Sequence, residues 1–338
     1  MTPHMLKQPY VIFLGDVEEA AFAKTGFGLL QWRKEACIAQ LRFDGCRVDL
    51  GLPDISVDDL KGLEGSLIVG VAAPGGTIAE HWVPALVSAA EFGLDVVAGT
   101  HTLASDIPSL KRAADRSGAR LIDVRVSPSS LPIATGNKRS GNRLLTVGTD
   151  CAVGKKYTAL ALEREMIARD VDVKFRASGQ TGILIAGSGI AIDTVVCDFT
   201  AGAAELLSPD ADKDHWDVIE GQGSLFHPSY AGVSLGLLHG SQPDAIVLCH
   251  DAARTTIAGL EGFTLPTLLQ SIELNVACGR RTNADIQCVG ISVNTSGVSA
   301  EDRDEVLIGY EQETGLPCVD PLVEGVGRIV DRLFEDAT

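Results

Sequence analysis

Leu144-Leu145-Thr146-Val147-Gly148-Thr149-Asp150-Cys151-Ala152-Val153-Gly154-Lys155-Lys156-Tyr157-Thr158 decides how the rest of this chain is read. An apolar run suited to a buried strand enters a loop bounded by glycines. The loop closes on Gly154-Lys155, and Leu160, Leu162, Met166 and Ile167 then recur at helical spacing. Strand, glycine loop with a lysine, helix: this order aims backbone N–H groups and a helix N-terminus at an anion. The pattern G-x-x-x-x-G-K-[ST] is missed in two places. Gly148 stands one residue early, and Lys156 occupies the position of the hydroxyl.

On both sides of this stretch strands alternate with helices. Upstream, Tyr10–Leu14 ends at Gly15-Asp16, and Ser66–Ala72 runs into Ala73-Pro74-Gly75-Gly76-Thr77. Trp82, Val83, Leu86, Ala89 and Ala90 lie at helical spacing. Leu94–Ala98 leads to Gly99-Thr100-His101, and Arg120–Val124 follows a helix around Leu110–Ala114. Residues 36 to 43 fit either a helix or a strand. Downstream, a helix to about Arg169 precedes Val171–Phe175. The apolar runs Ile183–Gly187, Trp216–Glu220, Ala245–Cys249 and Cys288–Asn294 are read as further strands. The pattern predicts an α/β protein with two doubly wound parallel sheets, whose ligands sit at the carboxyl ends of the strands. Pro128, Pro132, Gly136 and Gly141, with Lys138, Arg139 and Arg143, mark the boundary. It gives a first domain over 1–136, a linker over 137–143 and a second domain over 144–338.

A length of 338 residues suits two domains, and 45% hydrophobic residues with mean hydropathy +0.17 suits well-packed cores. The net charge of −17 argues against nucleic acid or an anionic membrane as partner, and no apolar run reaches spanning length. Eight cysteines without a C-x-x-C, most within or beside apolar runs, read as free thiols in a reducing compartment, not as a zinc site. With no signal-peptide pattern, the expectation is a cytoplasmic protein acting on a small molecule, without a bound metal and assembled as a homo-oligomer.

Two further strand ends of the second half can converge on the loop at the end of its own strand. Glu220 enters the turn Gly221-Gln222-Gly223, a position where phosphate-loop proteins keep an acid for Mg²⁺ or for a nucleophile. Asn294 ends another apolar run and suits a purine edge. His227, in Phe226-His227-Pro228-Ser229-Tyr230, offers an imidazole, and Asp198 is a further acid on a loop. Arg176 and Arg254 follow strands and suit substrate carboxylates, aided by the N–H groups and hydroxyls around Gln180 and Thr181. Gly75, Gly76 and His101 lie on the ligand-facing edge of the first half. Cys151 reads as a small filler, not as a nucleophile.

Gly148-Thr149-Asp150 with Val153-Gly154-Lys155 resembles the loop of dethiobiotin synthetase, G-T-D-x-x-V-G-K-T. That family's E-G-x-G turn and adenine-binding Asn are similar to Glu220–Gly223 and Asn294. A broader resemblance runs through Leu67–Val69, Gly70–Gly76, Gly93–His101, Asp123–Arg125 and Gly148–Lys155. These residues resemble a large bacterial family long catalogued as a domain of unknown function, with a Rossmann-like N-terminal domain and a phosphate-loop C-terminal domain. Its member with an assigned activity is a D-glutamate N-acetyltransferase, so the resemblance implies acetyl transfer from acetyl-CoA to a D-amino acid. The alternatives are an ATP- and Mg²⁺-dependent ligase or kinase, and a nucleotide- or coenzyme-A-binding regulator without turnover. Lys156 bears on the choice. Moving a phosphoryl group needs Mg²⁺, usually held by the missing hydroxyl, whereas the phosphates of coenzyme A need only cations and N–H donors. Thr149 or Thr158 can still replace that hydroxyl, so ATP stays open. The loop, Gly148 to Thr158 with Thr149, Asp150, Cys151, Ala152, Val153, Gly154, Lys155, Lys156 and Tyr157 between, is thus expected to hold the cofactor together with Asn294.

Overall fold

Apolar strands buried on both faces set the architecture, because only helices on either side can cover them. A computed structural model describes residues 6–71 and 76–335. The elements follow in chain order. The first half gives β1 (Tyr10–Gly15), α1 (Lys24–Trp32), β2 (Cys37–Arg42), β3 (Ser66–Val69), α2 (Val83–Glu91), β4 (Asp95–Ala98), α3 (Pro108–Ser117) and β5 (Leu121–Asp123). The second begins with β6 (Asn142–Gly148), α4 (Lys155–Ala168), β7 (Val173–Arg176), α5 (Gln180–Ala186), α6 (Thr200–Leu207) and β8 (Trp216–Ile219). It continues with α7 (Ala231–Ser241), β9 (Ala245–Asp251), β10 (Thr256–Ile257), β11 (Leu260–Thr264), α8 (Leu268–Gly279), β12 (Gln287–Asn294), α9 (Arg303–Thr314), β13 (Cys318–Val319) and α10 (Gly327–Glu335).

The chain forms two compact units, one of residues to Val126 plus Gln180–Ala191, the other of Ser127–Gly179 plus Ile192 onward. In the first, five parallel strands run in the order β2-β1-β3-β4-β5. Residues 36 to 43 contain β2, in which Cys37, Ala39, Gln40 and Leu41 are buried and Ile38 is exposed. Helix α3 shows local rules at both ends. Pro108 occupies its first turn, and Gly118 takes a left-handed φ of 81° just past its end.

The run Ile183–Gly187 is not a strand. Residues Gln180–Ala186 form α5, with Thr181 to Ile185 buried, and this helix packs on α1, where the Thr25 and Thr181 hydroxyls lie 3.1 Å apart. A short unbroken apolar run carries no period, so burial on all sides hid the helix.

The second unit holds six parallel strands in the order β13-β12-β9-β6-β8-β7, with β6 between β9 and β8. The β10–β11 hairpin is separate and antiparallel. Helix α8 starts on a capping box: the Thr267 hydroxyl accepts the Gln270 N–H at 3.1 Å, and the Gln270 side chain accepts the Thr267 N–H at 3.0 Å.

Residues 137–143 also differ from the expected linker, because they belong to this unit. Arg143 is fully buried and donates to the carbonyls of Arg139, Ser140, Gly141, Ser208 and Pro209. Arg139 donates to Ser208 O at 2.7 Å. Carbonyls at the end of α6 draw both guanidinium groups inward, as helix C-termini draw cations. Among the described residues no helix is long and apolar enough to cross a membrane.

Candidate functional site

Strand β6 delivers Gly148 into the loop, and α4 starts at Lys155. Ala152 at φ 55° and Gly154 at φ 101° give the loop two left-handed positions, which curl it back over the strand end. A side chain at 148 has no room: its Cβ would lie 2.8 Å from Asp150 O and 2.9 Å from Lys155 Nζ. The early glycine is therefore what lets Lys155 fold across the loop, where Nζ donates to Asp150 O at 2.8 Å. Lys155 is buried, and burial pushes its ammonium pKa down. Among the described residues its one hydrogen bond goes to a carbonyl, which leaves room for an entering anion as its charged partner.

The rest of the loop is braced from three elements. The Asp150 carboxylate is fully buried. Its Oδ2 accepts from Arg254 Nη1 at 2.8 Å and from the Ala258 N–H at 2.7 Å. Arg254 also donates to Cys151 O at 2.6 Å. Arg254, expected on a substrate carboxylate, is thus placed on the loop itself. The Thr149 hydroxyl lies 3.1 Å from His250 Nδ1, and Ser224 Oγ donates to Thr149 O at 3.0 Å. Thr158 is fully buried, its hydroxyl 2.7 Å from Ser292 Oγ and 3.2 Å from Gly154 O. Both hydroxyls considered as replacements for the one missing at 156 are fully buried. Lys156 is only part-buried, its Nζ 4.4 Å from the ring centre of the neighbouring Tyr157. Cys151 has its thiol pKa pushed up by burial, which suits a filler and not a thiolate nucleophile.

Glu220 comes to the loop from the end of β8. The next residue must be glycine, since a Cβ on Gly221 would sit 1.6 Å from Thr146 O and 3.1 Å from Lys155 Cδ. Glu220 is buried, and its Oε2 accepts the N–H groups of Ser178 and Gly179, each at 3.0 Å. Burial pushes its carboxyl up to about 7, against the pull of Lys156, those two N–H groups and Lys155. His227 is buried beside the loop, with Nδ1 accepting the Ser229 N–H at 3.1 Å and its ring 4.5 Å from that of Tyr230.

One ligand atom each of Asp150, Cys151 and His227 lies within 4.8 Å of the others, close enough to suggest a metal. The donor set does not fit one. Asp150 already faces the Arg254 cation, and His227 Nδ1 accepts an N–H where a metal-bound histidine would donate one.

Other expected residues lie elsewhere. Asn294 spends its amide locally: Nδ2 donates to Asp251 at 3.3 Å, and Oδ1 accepts the Ser296 N–H at 3.1 Å. Arg176 pairs with buried Asp217 at 2.5 Å, on the oxygen that His215 also approaches at 3.2 Å. Asp198 is exposed on the 3-10 turn Cys197–Phe199. Gly76, His101, Gln180 and Thr181 fall in the first unit. There His101 N donates to Gly76 O at 2.6 Å, and the buried Gln180 Oε1, without a partner, lies against Gly99. Gly75 is outside the described residues. Local pattern does not single out His250, which sits between Thr149 and the Tyr310 hydroxyl, 3.3 Å from Nε2; burial lowers its pKa. A histidine at the end of an apolar strand looks like any turn residue until its partners are known.

Residues 132–330 match a family described as a domain of unknown function, DUF1611, C-terminal P-loop domain. Residues 45–127 match its N-terminal Rossmann-like domain. This chain belongs to the DUF1611 family. A crystal structure of a DUF1611 protein from Anabaena variabilis superposes with a TM-score of 0.87 at 32% identity, covering 97% of this chain and 99% of that one. Two relatives bear the name D-glutamate N-acetyltransferase. The one from Pseudoalteromonas is 47% identical and the one from Tritonibacter scottomollicae 46%, each over 97% of this chain and 99% of its own length. The loop of this chain, with its displaced glycine and second lysine, therefore belongs to a protein whose relatives bear an acyltransferase name.

Proposed function

We propose that the protein is an N-acetyltransferase, taking acetyl from acetyl-CoA to the amine of D-glutamate or a related D-amino acid. One observation carries the choice of donor: the loop keeps its lysines and offers no hydroxyl to a phosphate-bound Mg²⁺. Lys155 lies under the loop and Lys156 beside it, while Thr149 and Thr158 are tied to His250 and Ser292. Such a loop suits a phosphate that is held and not transferred. Coenzyme A brings phosphates of that kind, and its thioester supplies the activated acetyl group without ATP. The relatives' name supports acyl transfer and points to the acceptor. Their likeness covers both units, so it is not a property of the loop alone.

Calorimetry with acetyl-CoA and with Mg²⁺–ATP, then thiol release with D- and L-glutamate, tests the reading. Saturable acetyl-CoA binding and thiol release with the D-amino acid are expected. Tight Mg²⁺–ATP binding with no response to acetyl-CoA would overturn it.

A further inference from the structure

Two polar atoms at the loop have no hydrogen-bond partner among the described residues: Nε2 of His227 and Oε1 of Glu220. Neither is a sealed orphan of the fold. The opposite end of each side chain is fixed by backbone N–H groups, and the two fixings have opposite consequences. Ser229 N–H points at His227 Nδ1, so Nδ1 must carry the lone pair. The neutral ring then carries its proton on Nε2, the nitrogen left for a ligand. An imidazole held this way offers a donor and no free basic nitrogen. Glu220 is the converse. Its Oε2 is occupied by Ser178 and Gly179, whereas Oε1 can accept a proton without breaking either bond.

We propose that His227 is a fixed Nε2–H donor to the oxyanion of acyl transfer and that Glu220 takes the proton from the acceptor amine. The assignment rests on the acetyl-transfer reading above. The amine enters as an ammonium and loses one proton to solvent. Its lone pair forms the C–N bond at the thioester carbonyl, whose oxygen gains the negative charge beside His227. The tetrahedral intermediate collapses, the C–S bond breaks and the electron pair leaves on sulfur. The second amine proton passes to Glu220 Oε1 and from there to the thiolate, giving free coenzyme A. Position favours this division. Lys156 and Lys155 pull on the Glu220 carboxylate from the loop side, and its Oε2 accepts the N–H groups of Ser178 and Gly179. Its raised pKa lets it hold and return a proton near neutrality.

Two experiments test the assignment. Long-range ¹H–¹⁵N spectra of histidine-labelled protein, with the signal identified by its loss in His227→Gln, read the tautomer without any turnover. An Nε2–H ring is expected, and an Nδ1–H ring would overturn the donor role. Kinetics with acetyl-CoA and D-glutamate then compare variants whose coenzyme A affinity and melting profile stay near wild type. Glutamine carries an amide N–H in place of Nε2 and cannot act as a base. His227→Gln should keep kcat within about 10-fold, and His227→Ala should lose about 100- to 1,000-fold. Glu220→Gln should lose about 100- to 10,000-fold and with it the acidic limb of the pH profile. Equal losses in the Gln and Ala variants would make His227 the base and overturn the proposal. So would a Glu220→Gln variant that keeps the acidic limb. A wild-type protein silent with acetyl-CoA and every amine overturns the acetyl-transfer reading, and the roles fall with it even where the spectra show the Nε2–H ring.

Discussion

Replacing Lys155 with methionine separates anchoring from folding. Among the described residues Lys155 Nζ has one hydrogen bond, to Asp150 O, and burial already works against its charge. Its stabilising partner is expected to be the phosphate. A hydrogen bond between charged groups contributes about 1.5–3 kcal/mol. At about 1.4 kcal/mol per tenfold, coenzyme A should bind about 10- to 150-fold more weakly to the variant. The free protein loses one bond to a carbonyl and is relieved of a buried cation, so its melting temperature should stay within a few degrees of wild type. Thermal shift reads both quantities. With ligand at about 100 times the wild-type Kd, wild type gains ~2.7 kcal/mol; a variant weakened about 30-fold gains ~0.9 kcal/mol. At about 2–4 °C per kcal/mol, the upshift falls from about 5–11 °C to about 2–4 °C. An undiminished upshift would show that the loop does not hold the phosphates, and a collapse of the free variant would show that Lys155 is structural.

Gly221→Ala should destabilise the second unit by more than about 3 kcal/mol in urea unfolding, because its Cβ would lie 1.6 Å from a backbone carbonyl in the neighbouring strand; wild-type stability would contradict that packing. Arg254→Ala should cost about 3 kcal/mol by leaving the Asp150 carboxylate buried without its cation, and adding Asp150→Asn should restore much of the loss. No recovery in the double variant would mean that Arg254 acts through other contacts. Glu220 gives a pH test. Its folded pKa lies above the unfolded value, so the folded state binds the extra proton between about pH 4.3 and about 7, and stability falls as pH rises through that window. Glu220→Gln should therefore be more stable than wild type at pH 8 and no more stable at pH 4, by chemical unfolding at both pH values; the opposite order would contradict the buried, raised carboxyl.

Parallel sheets announce themselves in sequence because their strands are continuous apolar runs, and β1, β3, β4, β6, β8, β9 and β12 are all legible for that reason. The loop is legible because glycine, lysine and a strand end need adjacent positions only. What stays hidden depends on partners far along the chain. Arg254 looked like a substrate ligand until Asp150, 104 residues earlier, was placed against it. Asn294 looked free until its turn closed on Asp251 and Ser296. Residues 137–143 had a linker's composition, yet Arg139 and Arg143 reach carbonyls 65 to 69 positions away, which no local pattern encodes. Helix α5 joins the first unit although its sequence neighbours on both sides belong to the second. For the candidate site, Glu220 and His227 stood out as residue types, but their division of labour depends on which of their atoms the backbone already holds.

The proposed activity requires a phosphate loop that anchors a thioester donor. The most direct measurement is product analysis by mass spectrometry with acetyl-CoA and D-glutamate, without ATP. It predicts N-acetyl-D-glutamate and free coenzyme A in equal amounts. No acetylated product in that mixture, or product only when Mg²⁺–ATP is added, would contradict it.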